Sequence, residues 1–246
     1  MATTRVQLCG RVTVELAGRR IENELPGRQG RLLFVFLAAN RARELRRDEL
    51  VDALWPRAAP ANVDAAVSAL LSKLRRVVGP DRLDGRGAVR LVLPEDGWVD
   101  LEAATEALHR AESALAREQW PAAWGPARVT QHIAARGFLP GEDAPWIAAV
   151  RDRLENAYVR SLEIVAHASL HLGGTELDTA ERSARTLVER APYRETGYRY
   201  LMEVVDRRGN RAEALRIYDD LRRRLRDDLG AAPSPATQDM HRRLLG

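Results

Sequence analysis

The chain has 246 residues, of which 30% are charged, and its aliphatic residues are plentiful. That length allows one large or two modest domains, and the composition excludes an intrinsically disordered chain. The single cysteine, Cys9, excludes an internal disulfide and any zinc finger built on cysteines. The first residues lack the apolar core of a signal peptide, and no apolar run approaches the roughly 18 residues of a membrane span. We therefore expect a cytoplasmic protein with no membrane partner.

Charge is unevenly distributed along the chain. Residues 1–93 carry 17 cations and 10 acids, whereas residues 94–246 carry 22 cations and 25 acids. Lys73 is the only lysine, so arginine supplies nearly all of the positive charge. A basic N-terminal part followed by a slightly acidic part is the asymmetry expected when only the first part binds a polyanion.

The basic part begins with half-buried strands. Apolar and polar residues alternate from Val6 to Leu16, with tight turns predicted at Gly10 and Gly18. A third strand is predicted to open at Ile21.

Three helices are predicted after these strands. Dense apolar residues indicate a buried helix over residues 28–40, and a shorter helix over residues 48–55 is stopped by Pro56. Asn62 is a suitable N-cap for a third helix of about four turns, which ends at Gly79.

The third helix has an apolar face and an opposite face of small and basic residues. At about 100° per residue, the apolar face is predicted to consist of Val63, Val67, Leu70, Leu71, Leu74, Val77 and Val78. The opposite face carries Ala65, Ser68, Ala69 and Ser72, with Lys73, Arg75 and Arg76 near its C-terminal end. Small residues allow close approach and cations reach phosphates, which suits a helix in a major groove about 12 Å wide.

A hairpin is predicted after the third helix. Val89, Leu91 and Leu93 alternate with polar residues, and the turn Gly85–Gly87 presents Arg86 at its tip. Strands, three helices and a basic hairpin follow one another in the order of a winged helix-turn-helix. A charge cluster is more often a solvated face, but here it coincides with the appropriate helix, the hairpin and the charge of the domain.

We predict the following DNA contacts from this arrangement. Those in or beside the major groove are Ser68, Ser72, Lys73, Arg75 and Arg76; those to the minor groove or backbone are Arg86 and Arg90; those to phosphate are Arg46 and Arg47.

The acidic part has helical periodicity almost throughout. Helices are predicted over residues 101–118, 120–136, 145–172, 177–190, 195–208, 211–229 and 235–245. Small residues Ala180 and Ala214 are one tetratricopeptide period apart, about 34 residues. We predict a mainly α protein with a small β component, in which a winged helix-turn-helix domain (residues 1–97) precedes an all-α tetratricopeptide-like domain (residues 98–246). The alternative is a helical body that only supports the first domain.

No catalytic motif is found. The sequence contains no phosphate-binding loop and no nucleophile elbow, and Cys9 is predicted to be a core thiol. His167 and His171 have a spacing that can chelate a metal, but no third ligand is near in sequence, so we expect neither a metal site nor a cofactor. The arginine run at residues 222–224 is offset at helical spacing by Asp219, Asp220, Asp227 and Asp228, so it is predicted to be a salt-bridged, solvated face. We expect no enzymatic activity.

The stretches Leu50–Pro56 and Leu71–Gly79 resemble the DNA-binding half of the actinobacterial regulators typified by the Streptomyces antibiotic regulatory proteins. The stretch Gly209–Tyr218, with Asp-Leu-Gly and Pro-Ser-Pro in residues 225–235, is similar to their bacterial transcriptional activation domain. This resemblance covers almost the whole chain. It implies an OmpR-like winged helix that binds promoter repeats, and a tetratricopeptide-like domain that helps to recruit RNA polymerase holoenzyme. A homodimer on direct repeats is compatible with it.

The sequence departs from the family at the recognition helix. Family members often carry glutamine and other polar residues where this chain has Ala65, Ser68 and Ala69, so specificity is expected to rest on thymine methyl contacts, terminal cations and DNA shape. Larger members continue into ATPase or sensor domains, so the sequence is interpreted as a short regulator or a fragment of a larger one.

The sequence therefore predicts a DNA-binding transcription regulator that acts as an activator on double-stranded promoter DNA. Two alternatives stay open. In the first alternative, the helical domain is a protein- or ligand-binding adaptor and DNA binding is weak. In the second, the protein represses transcription by promoter occlusion.

Overall fold

The computed structural model describes residues 3–85 and 87–246. The chain divides into two compact units, Met1–Ala104 with Ile133–Glu155 and Thr105–His132 with Asn156–Gly246. This division differs from the predicted boundary at residue 97, because residues 133–155 pack with the N-terminal residues. The assignment of DNA binding to residues 1–97 and of activation to residues 98–246 stays a prediction.

Two small sheets belong to the first unit. The strands in chain order are β1 (Arg5–Gln7), β2 (Thr13–Leu16), β3 (Arg19–Arg20), β4 (Leu45–Arg46), β5 (Leu83–Asp84), β6 (Ala88–Leu91) and β7 (Trp98–Val99). One sheet has the order β3-β2-β1-β7, in which only the β1–β7 pair is parallel. The other has the antiparallel order β4-β6-β5. The predicted hairpin is therefore confirmed as β5–β6.

The prediction that a third strand opens at Ile21 is wrong. The chain reverses at Ala17 and Gly18, which both have positive φ angles, and β3 begins directly afterwards at Arg19. Ile21 follows the strand and is buried. Its apolar side chain thus belongs to the core, whereas the paired residues before it are two exposed arginines.

Three helices complete the winged-helix arrangement of the first unit: α1 (Gly27–Ala39), α2 (Arg47–Leu54) and α3 (Val63–Val78). All three predicted helices are confirmed to within a residue or two. They pack on one another around buried side chains that include Leu33, Leu37, Leu50, Leu71 and Leu74. Burial of such side chains supplies most of the driving force for this packing, at about 1.5–3 kcal/mol each.

The segment 133–155 adds apolar side chains to this unit. Phe138 is buried, and the ring of Trp146 meets those of Phe36 and Phe138 edge to face, with ring centres 5.0 and 5.8 Å apart. The indole Nε1 of Trp146 also donates a hydrogen bond of 3.1 Å to the carbonyl oxygen of Ala53.

Cys9 and Asp100 are buried just beyond the ends of the neighbouring strands β1 and β7. The carboxylate of Asp100 accepts 2.9 Å hydrogen bonds from the backbone N–H groups of Leu8 and Cys9, and lies 3.5 Å from the guanidinium of Arg136. Burial raises the pKa of the Cys9 thiol, and the nearby Asp100 raises it further. This agrees with the prediction of a core thiol.

The remaining helices are α4 (Asp100–Leu115), α5 (Trp120–Ala134), α6 (Pro145–Leu172), α7 (Leu177–Arg190), α8 (Glu195–Arg207), α9 (Arg211–Leu229) and α10 (Pro235–Leu245). The second unit contains α7 to α10 and parts of α4 to α6. Within it, α8 packs against both α7 and α9. Ala180 and Ala214, placed one period apart by the sequence, are both fully buried in one apolar cluster.

The arginine run on α9 is a salt-bridged face, as predicted. Arg223 pairs with Asp220, and Arg224 donates a 3.0 Å hydrogen bond to the hydroxyl of Tyr198. Within the described part of the chain, no helix combines the length and apolar character needed to cross a membrane.

Candidate nucleic-acid interface

Helix α3 is fixed at both ends and along one face. The Oδ1 atom of Asn62 accepts a 3.0 Å hydrogen bond from the N–H of Ala65, which confirms the predicted N-cap. Of the predicted apolar face, Val67, Leu71, Leu74 and Val78 are buried, whereas Val63, Leu70 and Val77 are only partly buried. The buried stripe is therefore narrower than predicted, because packing leaves one edge of the face, which carries these three residues, partly open.

The opposite face of α3 is exposed and carries two cations without partners. Lys73 and Arg76 are exposed, and neither side chain makes a hydrogen bond or an ion pair with any residue that the structure describes. Ser72 is exposed beside them. These charges are available to a polyanion, since no carboxylate of the described chain neutralises them.

Arg75 has a different environment from its neighbour Arg76. Its guanidinium donates a 2.7 Å hydrogen bond to the carbonyl oxygen of Gly85 and a 3.4 Å hydrogen bond to that of Leu83. Both acceptors belong to the β5–β6 hairpin and its turn. The guanidinium of Arg75, which was predicted to contact DNA, is thus bound to the hairpin in this structure. The side chain links α3 to the β5–β6 hairpin, which is the wing of the winged helix.

The wing turn requires glycine at residue 85. Gly85 has φ +88°, and a Cβ there would lie 1.9 Å from the carbonyl oxygen of Ala88. Arg90 on β6 is partly buried and lies 3.9 Å from the carboxylate of Asp84. Its Nε is buried without a hydrogen-bond partner. The predicted contact Arg86, at the tip, lies outside the described residues.

Arg46 and Arg47 lie at the start of α2, where the sequence predicted them. Arg46 is exposed and its guanidinium lies 3.1 Å from the carboxylate of Asp48, which raises the pKa of Arg46. The N–H of Arg46 donates to Glu49, which caps the helix. Arg47 donates a 3.0 Å hydrogen bond to the hydroxyl of Ser68 on α3. Ser68 and Arg47 therefore connect the two helices of the helix-turn-helix.

Arg19, which was not predicted as part of the site, approaches this surface from β3. Its guanidinium donates a 3.2 Å hydrogen bond to the carbonyl oxygen of Val77 at the end of α3, and forms an ion pair of 2.6 Å with Glu24. Arg19 is far from α3 in the sequence, and its acceptor on α3 is a backbone carbonyl, which has no residue signature. No sequence signal indicated this contact.

The arrangement offers no evident chemistry beyond binding. Among the residues described, no group of three or more His, Cys, Asp or Glu side chains is placed to hold a metal ion. The surface instead combines an exposed helix face, two unpaired cations and an anchored hairpin, which are the parts that a winged helix uses on DNA.

Comparison with known proteins identifies the family. The Bacterial transcriptional activator domain matches residues 99–245. Regulatory protein AfsR of Streptomyces coelicolor is 32% identical over 220 residues, covering 88% of this chain and 22% of that protein. AfsR of Streptomyces griseus is 28% identical over 217 residues, with 88% and 22% covered. This chain thus spans about a fifth of the length of the AfsR proteins.

Mycobacterial EmbR is similar over a larger share of its length. Transcriptional regulatory protein EmbR of Mycobacterium tuberculosis is 25% identical over 256 residues, covering 97% of this chain and 62% of that protein. The solved structure of Mycobacterium tuberculosis EmbR in complex with a low affinity phosphopeptide matches with a TM-score of 0.83 at 20% identity. The match covers 99% of this chain and 64% of that one, and shows a common fold.

These matches are to transcription regulators and not to enzymes, in agreement with the sequence-based expectation. The winged helix of the first unit precedes the matched region, in the order that the resemblance implied. The chain belongs to the bacterial transcriptional activator domain family, as a regulator of the Streptomyces antibiotic regulatory protein type.

Proposed function

We propose that this chain binds double-stranded promoter DNA with α3 in the major groove and the β5–β6 hairpin against the neighbouring backbone. The observation that carries the proposal is the pair of unpartnered cations, Lys73 and Arg76, on the face of α3 opposite its buried stripe. Positive side chains that stand free of carboxylates gain most from a phosphate partner.

The predicted contacts divide into two roles. Lys73, Arg76 and Ser72 face the DNA directly, whereas Arg75 and the Arg47–Ser68 pair hold the surface in shape. The exposed Ala65 and Ala69 allow close approach of the helix and apolar contact with thymine methyl groups. Sequence preference then depends on these few contacts and on the shape of the DNA.

Salt-dependent binding tests this assignment. Genomic fragments selected with the full-length chain supply the DNA, and fluorescence anisotropy across a salt series measures affinity. Lys73→Ala and Arg76→Ala should each weaken binding and lower the slope of log affinity against log salt by about 1, because one phosphate contact is lost.

Arg11→Ala is the matched control for charge, since Arg11 is exposed in the β1–β2 turn and its side chain makes no contact with a described carboxylate. Its slope should equal that of the wild type. Unchanged affinity and slope in both α3 variants would refute the proposed orientation of α3.

We further propose that the protein activates transcription by contacting RNA polymerase holoenzyme, which extends the role that its family name describes. Transcription with purified holoenzyme on a selected promoter measures this directly. The proposal expects more transcript when the full chain is added. A decrease would identify promoter occlusion and hence a repressor.

Binding to direct repeats, as a homodimer or in tandem, is part of the same proposal. Templates with one or two copies of the selected site distinguish these arrangements by gel mobility. Two repeats should bind more tightly per site than one, because neighbouring molecules raise each other's effective concentration.

A further inference from the structure

Four aromatic rings cluster in the second unit, which contains none of the residues assigned to DNA. His167 and His171 lie one turn apart on α6, and their Nε2 atoms are 3.2 Å apart. The ring of His171 stacks on Trp120 of α5, with ring centres 3.8 Å apart and an interplanar angle of 6°. The ring of His167 stacks on Tyr200 of α8, at 5.2 Å and 19°. Each imidazole is thus held by an aromatic side chain from another helix.

We propose that His167 and His171 form a binding site for a first-row divalent transition-metal ion such as Zn²⁺ or Cu²⁺. Neutral imidazole nitrogens are ligands that these ions prefer. Side chains separated by four residues lie on the same helix face, so both nitrogens reach one ion without rearrangement of the backbone.

The ring geometry indicates where the ion would lie. The ring centres of His167 and His171 are 5.0 Å apart, whereas their Nε2 atoms are only 3.2 Å apart, so the two directions from ring centre to nitrogen converge. If these directions share a plane and are equally inclined to the line between the nitrogens, they meet about 2.0 Å beyond each nitrogen, which is the length of a zinc–nitrogen bond. Both lone pairs then point at one common position.

The 3.2 Å separation of the two Nε2 atoms is also that of a hydrogen bond between the rings, which a bound ion would replace.

The protein would supply only two ligands. No third His, Cys, Asp or Glu among the described residues completes a cluster with the pair. Glu203 acts on His167 electrostatically, but its carboxylate is paired with Arg207 at 2.6 Å. The other coordination positions are therefore left to water or a small ligand, and His171 is exposed enough to admit them. The sequence argument against a metal required a third protein ligand, which an open site does not need.

Metal titration of the full-length chain tests the site. After dialysis against a chelator, Cu²⁺ and Zn²⁺ are titrated by calorimetry at pH 7.5, and the Cu²⁺ complex is examined by electron paramagnetic resonance. We expect one ion per chain, tighter binding of Cu²⁺ than of Zn²⁺, and hyperfine coupling to two nitrogens. Replacing one imidazole, in His167→Gln or His171→Gln, should weaken binding by about tenfold or more.

His132→Gln is the matched control, because His132 is exposed on α5 and contacts no other described ring. Since His171 is exposed, His171→Gln keeps the test valid even if His167→Gln perturbs the fold, and circular dichroism checks both variants. Equal affinity in wild type and His171→Gln, or no binding at all, would overturn the proposal. So would a loss of affinity in His132→Gln as large as in the pair variants.

Discussion

Adjacent arginines on α3 differ in function because their surroundings differ. Arg75 donates to two backbone carbonyls of the wing, whereas Arg76 is exposed and has no partner in the described chain. A hydrogen bond from a charged donor contributes roughly 1.5–3 kcal/mol, so Arg75 holds the hairpin in place. Charge alone therefore does not distinguish a cation that is free to bind a partner from one that positions the wing.

Removal of Arg75 should loosen the wing in the free protein. In Arg75→Ala, backbone amides of residues 83–91 should exchange with solvent faster, because the carbonyls of Leu83 and Gly85 lose their donor. Hydrogen exchange read by mass spectrometry measures this without DNA. Arg76→Ala removes the same charge one residue away and should leave the exchange unchanged. Equal exchange in both variants would mean that Arg75 does not anchor the wing.

At the scale of elements, periodicity located the α-helices of the described residues, whereas the two-residue strands β4 and β7 escaped it. The helices from α1 to α10 agree with their predicted spans to within a few residues, since each presents several turns of apolar spacing. The strands β4 and β7 have only two residues each, which is too short for alternation to be visible. The candidate site was predictable only in part. The periodicity of α3 and the alternation of the hairpin indicated these elements, but no sequence pattern shows that Arg75 donates to backbone carbonyls.

Asp100, in the first turn of α4, holds the backbone that directly follows β1. In Asp100→Ala, the N–H groups of Leu8 and Cys9 lose a buried acceptor, and the free energy of unfolding should fall by about 1–3 kcal/mol. Urea denaturation of the full chain measures the change. Asp96→Ala, an exposed neighbour, loses the same charge and should change stability little.

The cost of Asp100→Ala should depend on pH. Burial raises the pKa of Asp100 above its ordinary value, so the folded state holds this proton more tightly than the unfolded state. The contribution of Asp100 to the free energy of unfolding of the wild type is therefore fully present at low pH. It declines as the pH rises through the raised pKa of Asp100. The difference between wild type and variant should be larger near pH 4 than near pH 7, and a difference that grows with pH would contradict this assignment.

At the scale of the whole molecule, the folded units do not follow the order of the sequence. The family match begins at residue 99, yet residues 133–155 pack in the same unit as the winged helix. No sequence pattern indicated this return, because an apolar helix face does not show which partner it packs against. A truncation near residue 100 would therefore remove part of the winged-helix unit as well as the helical region.

Trp146 tests how strongly this segment supports the unit. In the full chain, Trp146→Ala loses the ring contacts with Phe36 and Phe138 and the hydrogen bond to Ala53, and should lower the free energy of unfolding by about 3 kcal/mol. Thermal denaturation measures the loss. Trp146→Phe keeps a ring and should recover most of the stability. A loss below about 0.5 kcal/mol, the range of a neutral surface change, would show that the segment is dispensable.

The return of residues 133–155 also affects how the protein is made. A ribosome adds about 5–20 residues per second, so the winged helix emerges several seconds before the segment that carries Phe138 and Trp146. During that interval the nascent chain lacks part of its apolar packing and is most exposed to proteases and to aggregation. Slow codons between α4 and α6 would prolong this interval, and an N-terminal fusion partner would not shorten it. The winged-helix unit is thus translated first but completed late.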